Sequence, residues 1–202
     1  MKFKLFSVQI YISYTLLCVT AVFIITESFT GFLCCLSAVI IHESGHLIAM
    51  HRFNCMPKKI KISLFEISII GSGRQQLSAK QNKIIIFFGP FANFICFIQF
   101  YLLYLFCSSV FKPLAYSNLC VGLFNLLPVM SLDGGQLLFL ILAGRVSDKS
   151  AEKCVNIITF IILFPLAALG FLVLFNSKYN FSLLFVCLYI VLSLVCRNNR
   201  YY

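Results

Sequence analysis

The sequence predicts an all-α polytopic membrane protein with about six transmembrane helices and one short β-hairpin or re-entrant segment near residues 57–76. Three observations lead there. Of 202 residues, 61% are hydrophobic and only 11% charged, with a mean hydropathy of +0.98, which lies outside the range of soluble domains. Apolar stretches long enough to cross a bilayer run at about 5–26, 31–50, 84–107, 114–143, 154–175 and 181–196. With the N-terminus inside, 14 of the 16 Lys and Arg residues fall on the inner side, and only Lys112 and Lys178 fall outside.

That asymmetry makes the net charge of +10 a record of orientation in the lipid bilayer and removes the need for a nucleic-acid partner. A basic inner face suits anionic lipid or an acidic protein. The first stretch follows Lys2 and Lys4, is too long for a signal-peptide core and has no clear small-x-small cleavage site after it, so it reads as a retained helix.

The second stretch carries His42-Glu43-Ser44-Gly45-His46 inside an almost unbroken apolar run from Phe29 to Met50. On a helix, residues four apart are offset by only about 40° around the axis, so the two imidazoles face the same way and can share one metal ion. Glu43 is left to act on water. A carboxylate at bilayer depth costs roughly 2.5–3.5 kcal/mol on insertion scales, and a divalent cation offsets that cost while engaging both imidazoles. The third histidine, His51, lies nine residues beyond His42, about half a turn around the axis, and is read as an interfacial residue. Most of the ten cysteines sit in or at the ends of apolar spans without C-x-x-C spacing and are read as packing residues.

Between the second and third stretches, Ile60, Ile62 and Leu64 alternate with Lys59, Lys61 and Ser63, and Ile67 and Ile69 alternate with Glu66 and Ser68. A period of two predicts strands, here a hairpin or re-entrant segment at the inner face, or else an amphipathic loop on the headgroups. An extended peptide can add to such an edge through backbone hydrogen bonds. On the third stretch, Asn93 follows Gly89-Pro90; it either faces the site as an oxyanion or substrate contact or ties spans together by hydrogen bonding.

The fourth stretch contains Asn125-Leu126-Leu127-Pro128-Val129-Met130-Ser131-Leu132-Asp133-Gly134-Gly135. Pro128 lacks an amide donor and the glycine pair relaxes the backbone, so a broken or kinked helix is expected here, lining a protein-buried or watery cavity. A catalytic zinc site usually takes three protein ligands, and Asp133 supplies a third beside His42 and His46, unless it serves only as a helix cap. His46 lies six residues before Arg52 and Asp133 twelve before Arg145, which places both in the inner half of the bilayer. The stretches at 154–175 and 181–196 carry no charge and read as packing or gating helices. The chain is thus expected to form a single membrane-embedded domain over 1–202. Its core is 29–143, two further helices occupy 154–196, and no soluble C-terminal domain is expected.

A membrane-embedded H-E-x-x-H followed by N-x-x-P-x-x-x-L-D-G resembles the site-2 protease family of intramembrane zinc metalloproteases, and Gly89-Pro90-Phe91-Ala92-Asn93 extends the likeness over most of 5–143. The short plan looks most like the stage IV sporulation protein FB branch. This resemblance implies that His42, His46 and Asp133 ligate zinc, that Glu43 is the catalytic acid/base, and that Asn125 lies in a loop contacting substrate. It also implies peptide-bond hydrolysis in a membrane-associated substrate such as a pro-sigma factor, under a regulatory membrane partner. The site would lie in the cytoplasmic half of a bacterial cell membrane, with both termini cytoplasmic. Ser131 stands where the family loop often has a second proline. Two other classes compete: a metal or proton transporter, which calls for polar residues through the full thickness of several spans, and an inactive binding homologue, which has no use for Glu43.

Overall fold

The structure is a computed structural model and describes residues 2–5, 8–12, 29–56, 59–62, 67–70, 77–176 and 187. The chain divides into two compact units, Met1–Leu123 and Phe124–Tyr202.

The first unit opens with strands β1 (Lys2–Leu5) and β2 (Val8–Ile12). After helix α1 (Phe29–Arg52) come strands β3 (Lys59–Ile62) and β4 (Ile67–Ile70), then helix α2 (Ala79–Phe106). The four strands form one sheet in the order β1-β2-β3-β4. The β1–β2 and β3–β4 pairs are antiparallel, whereas β2 and β3 run parallel with Gln9 opposite Lys59 and Ile12 opposite Ile62.

This corrects the expectation for the first apolar stretch. Residues 8–12 are strand, so no helix begins at residue 5. The reason is visible in the residues: Val8, Ile10 and Ile12 alternate with Gln9 and Tyr11, a period-two signal that averaged hydropathy hides. The rest of that stretch, and all of 181–196 except Cys187, lie outside the described residues.

Helix α1 ends in a C-cap that its sequence prepares. Asn54 takes the left-handed conformation at φ 55°, which asparagine tolerates better than most residues, and closes the helix as in a Schellman motif. The Cys55 amide reaches the Met50 carbonyl at 3.0 Å and the Asn54 amide reaches His51 at 3.1 Å. Cys55 thereby turns inward and packs with Ala49, Met50 and Ile85, the small core at this end of the α1–α2 pair. Helix α2 begins with a reciprocal capping box, in which the Ser78 hydroxyl accepts from the Gln81 amide and the Gln81 side chain accepts from the Ser78 amide.

Helices α1 and α2 are antiparallel: Ala38 meets Asn93 at one end, and His46 meets Ile85 at the other. Gly45 lets them approach closely. A Cβ at Gly45 would run into the Phe88 carbonyl and lie 2.9 Å from the Ala92 Cβ. Helix α3 (Phe111–Asn125) follows.

The second unit starts at the end of α3, passes through an irregular segment and continues as α4 (Asp133–Leu142) and α5 (Asp148–Asn176). Ala151, Val155 and Thr159 are spaced by four on α5 and fully buried, forming an inward stripe. Val129 and Leu132 are buried beneath Phe124, Leu127, Leu163 and Leu166.

Among the described residues, three helices are long and apolar enough to cross a membrane: Thr30–Arg52, Ala79–Phe106 and Asp148–Leu169. At about 1.5 Å per residue each exceeds the ~30 Å hydrocarbon thickness. The fourth apolar stretch is instead divided into α3 of 15 residues and α4 of 10, because the proline-containing segment interrupts the helical ladder.

Candidate metal centre

His42 and His46 are one turn apart on the face of α1 that meets α2, and are only 4% and 8% exposed. Their rings meet edge to face with centroids 4.8 Å apart, and their Nε2 atoms are separated by 3.2 Å. Each ring is held by its other nitrogen. The Nδ1 of His46 lies 2.8 Å from the Ile85 carbonyl, which can only accept, so Nδ1 carries the proton. The Nδ1 of His42 lies 2.8 Å from the Asn93 Oδ1.

The orientation of the Asn93 amide follows from its neighbours. Its Nδ2 donates to the Ala38 carbonyl at 2.8 Å and to the Asn118 Oδ1 at 3.0 Å, so Oδ1 is the atom facing His42. Asn118 is oriented in turn by its Nδ2 donating to the Leu114 carbonyl at 2.9 Å. With each Nδ1 facing an oxygen, both Nε2 atoms converge on the same small volume, an arrangement in which two imidazoles can share one cation. The donor set of the histidine pair therefore fits zinc.

Gly89 makes room for the pair. A Cβ there would collide with Nε2 and Cε1 of His46 and come within 3.0 Å of the His42 Cε1. Pro90 follows inside α2, where its missing amide interrupts the ladder beside the turn whose Ile85 carbonyl bonds His46. Glu43 is half-buried on the turn that carries His42, and His51 is exposed at the end of α1, off the histidine face.

In the second unit, Asp133 is the first residue of α4, where a carboxylate complements the positive end of the helix dipole. The N-cap position belongs to Leu132, whose side chain makes no capping bond, so Asp133 is not the N-cap. Gly134 and Gly135 have a different role from the one expected. They permit close backbone contact rather than looseness, since a Cβ at Gly134 would meet the Leu126 and Leu127 carbonyls and one at Gly135 would meet the Val129 carbonyl. The segment is braced by backbone bonds from Val129 to Leu127 at 2.7 Å and from Leu132 to Val129 at 2.8 Å. On α5, the Thr159 hydroxyl lies 3.3 Å from the Pro128 carbonyl and 2.9 Å from its own helix at Val155. Asn125 is half-buried at the end of α3.

Of the two roles sequence reasoning left open for Asn93, the structure shows the tie, which joins α1 to α3 through Ala38 and Asn118, and it adds a bond to His42 that the sequence did not suggest. Asn118, the Ile85 carbonyl, Gly89 as a space for His46 and Thr159 went unread. A sign of the first was an amide inside an apolar helix; a backbone carbonyl leaves no sign in sequence.

The first unit thus carries a buried pair of metal-competent histidines on an apolar helix, and the second carries Asp133 on a segment packed closely against Gly134 and Gly135. The chain is similar to known proteins in sequence and in fold. Residues 106–166 match the family described as Peptidase family M50. Stage IV sporulation protein FB of Bacillus subtilis (strain 168) is 28% identical over 140 residues, covering 67% of this chain and 48% of that protein. The chain thus matches about half the length of that curated relative. The solved structure of the site-2 protease from Methanocaldococcus jannaschii shares the fold, with a TM-score of 0.74 at 21% identity over 100% of this chain and 97% of that one.

Proposed function

We propose that this chain is an intramembrane zinc endopeptidase that hydrolyses a peptide bond in a membrane-associated protein. The observation that carries the reading is the histidine pair of α1, with both Nδ1 atoms tied to oxygen and both Nε2 atoms converging at 3.2 Å. His42, His46 and Asp133 hold the ion. When bound, zinc lowers the pKa of water from 15.7 to about 7 and polarises a carbonyl oxygen.

Glu43 supplies the proton traffic. Its carboxylate takes a proton from the attacking water and delivers it to the departing amine nitrogen, so the carboxylate is regenerated at the end of the cycle. An extended substrate is needed because a helical one keeps its carbonyls in intrahelical bonds. The β3–β4 pair offers backbone groups at its edge for such a segment, and Asn125 contacts it. The relatedness to a sporulation protein supports a pro-sigma factor or similar regulatory protein as substrate, under control of a membrane partner. The distribution of Lys and Arg supports cytoplasmic termini and a site in the cytoplasmic half, and the likeness to a Bacillus subtilis protein supports a bacterial membrane.

Co-expression with candidate membrane-associated proteins, comparing wild type with Glu43→Gln, tests the reading. A fragment produced only by the wild type is expected, with Glu43→Gln retaining zinc and losing about 10²–10⁴-fold in turnover. Absence of stoichiometric zinc from purified wild type, or cleavage undiminished by Glu43→Gln, would overturn it.

A further inference from the structure

The two anchors of the histidine pair differ in kind. At Nδ1, His46 meets a backbone carbonyl, whereas His42 meets a side chain, Asn93, drawn from another helix. Both Asn93 and Asn118 are 0% exposed, and their amides run in series from the Leu114 carbonyl through Asn118 and Asn93 to His42. Gly122 leaves room beside this chain, since a Cβ there would lie only 3.2 Å from the Asn93 Cβ. Carbonyls that can only accept, at Leu114 and Ala38, leave one amide orientation open at each asparagine. The imidazole is therefore offered an acceptor at Nδ1 and not a donor.

From this we infer that Asn93, oriented by Asn118, is a positioning residue that fixes the Nδ1-protonated tautomer and the ring angle of His42, and thereby sets zinc affinity. The inference rests on the reading of His42 as a zinc ligand. A competing role, a plain tie between helices, uses the opposite end of the same side chain: it needs the Nδ2 donor toward Ala38 and Asn118, whereas positioning needs only the Oδ1 acceptor toward His42.

Asn93→Asp separates the two roles, because a carboxylate keeps the acceptor and loses the donor. Zinc affinity of the detergent-solubilised full chain, measured against a chromophoric chelator, is the readout, with the d–d spectrum of the cobalt-substituted protein alongside. Asn93→Ala is expected to weaken zinc binding about 10–100-fold and to alter the cobalt spectrum. Asn93→Asp sets its second oxygen against the Ala38 and Asn118 acceptors, and is expected to lose less zinc affinity than Asn93→Ala while keeping the wild-type cobalt spectrum, since carboxylates are themselves common partners of metal-bound histidine. Asn118→Ala, which leaves the Asn93–His42 contact in place, is expected to show an intermediate loss and provides the measurement if Asn93→Ala does not fold. The inference is overturned if Asn93→Ala binds zinc like wild type, if Asn93→Asp falls as far as Asn93→Ala, or if Asn118→Ala changes nothing. A wild-type protein that binds no zinc instead removes the function proposed above, a result seen before any variant is compared.

Discussion

Each ring of the histidine pair is held by one hydrogen bond outside α1 and has space on one side, and the space depends on a missing side chain. Gly89→Ala places a methyl group where His46 Nε2 and Cε1 now lie, so either the imidazole turns away or the helices part. An overpacked site of this kind costs about 1–3 kcal/mol, and disturbed ligand geometry weakens metal binding by about tenfold or more. Thermal unfolding and zinc titration of Gly89→Ala check both numbers, and a variant matching wild type in each would show that the pair has room to shift. That His42 and His46 share one face was legible in sequence because a spacing of four alone aligns them on a helix. Gly89 was legible only as part of a motif, since its purpose depends on a ring from another helix.

The irregular run between α3 and α4 shows how an interrupted helix is kept in shape inside apolar surroundings. Pro128 removes an amide, and the carbonyls released around the break need other donors. The Thr159 hydroxyl on α5, 2.9 Å from its own Val155 carbonyl and 3.3 Å from that of Pro128, shares its single proton between them. Thr159→Val keeps the volume and removes that donor, and is expected to lower stability by about 1–3 kcal/mol, read as the shift in detergent-solubilised unfolding. Gly134→Ala should do at least as much damage, because its methyl group would meet two backbone carbonyls, which move less readily than side chains. In the sheet, β3 lies between β2 and β4, a position in which proline removes a ladder bond. Ile62→Pro is therefore expected to reduce cleavage while leaving zinc content intact; unchanged cleavage would relieve the sheet of any part in holding substrate. The break at Pro128 was legible from the imino acid. The strands at the N-terminus were not, because a long apolar window conceals an alternation only five residues long.

For the molecule as a whole, the proposed metal site implies a link between metal and stability. A ligand that binds only the folded form adds about 4.1 kcal/mol at a free concentration one thousand times its dissociation constant. Chelation is expected to lower the unfolding temperature of the wild type and to have little effect on His42→Ala, whose site has already lost a ligand. Reporter fusions at both termini are expected to report the cytoplasm, the side on which the basic residues gather; an outward C-terminus would refute that orientation. Membrane residence and the two motif segments were determined by sequence alone, since hydropathy and helical spacing are local properties that no fold can alter. Tertiary structure decided what holds each group in place: a carbonyl for His46, a pair of buried amides for His42, and backbone packed against glycine ahead of Asp133. Those partners lie tens of residues away along the chain, and nothing local in the sequence specifies which helix faces which.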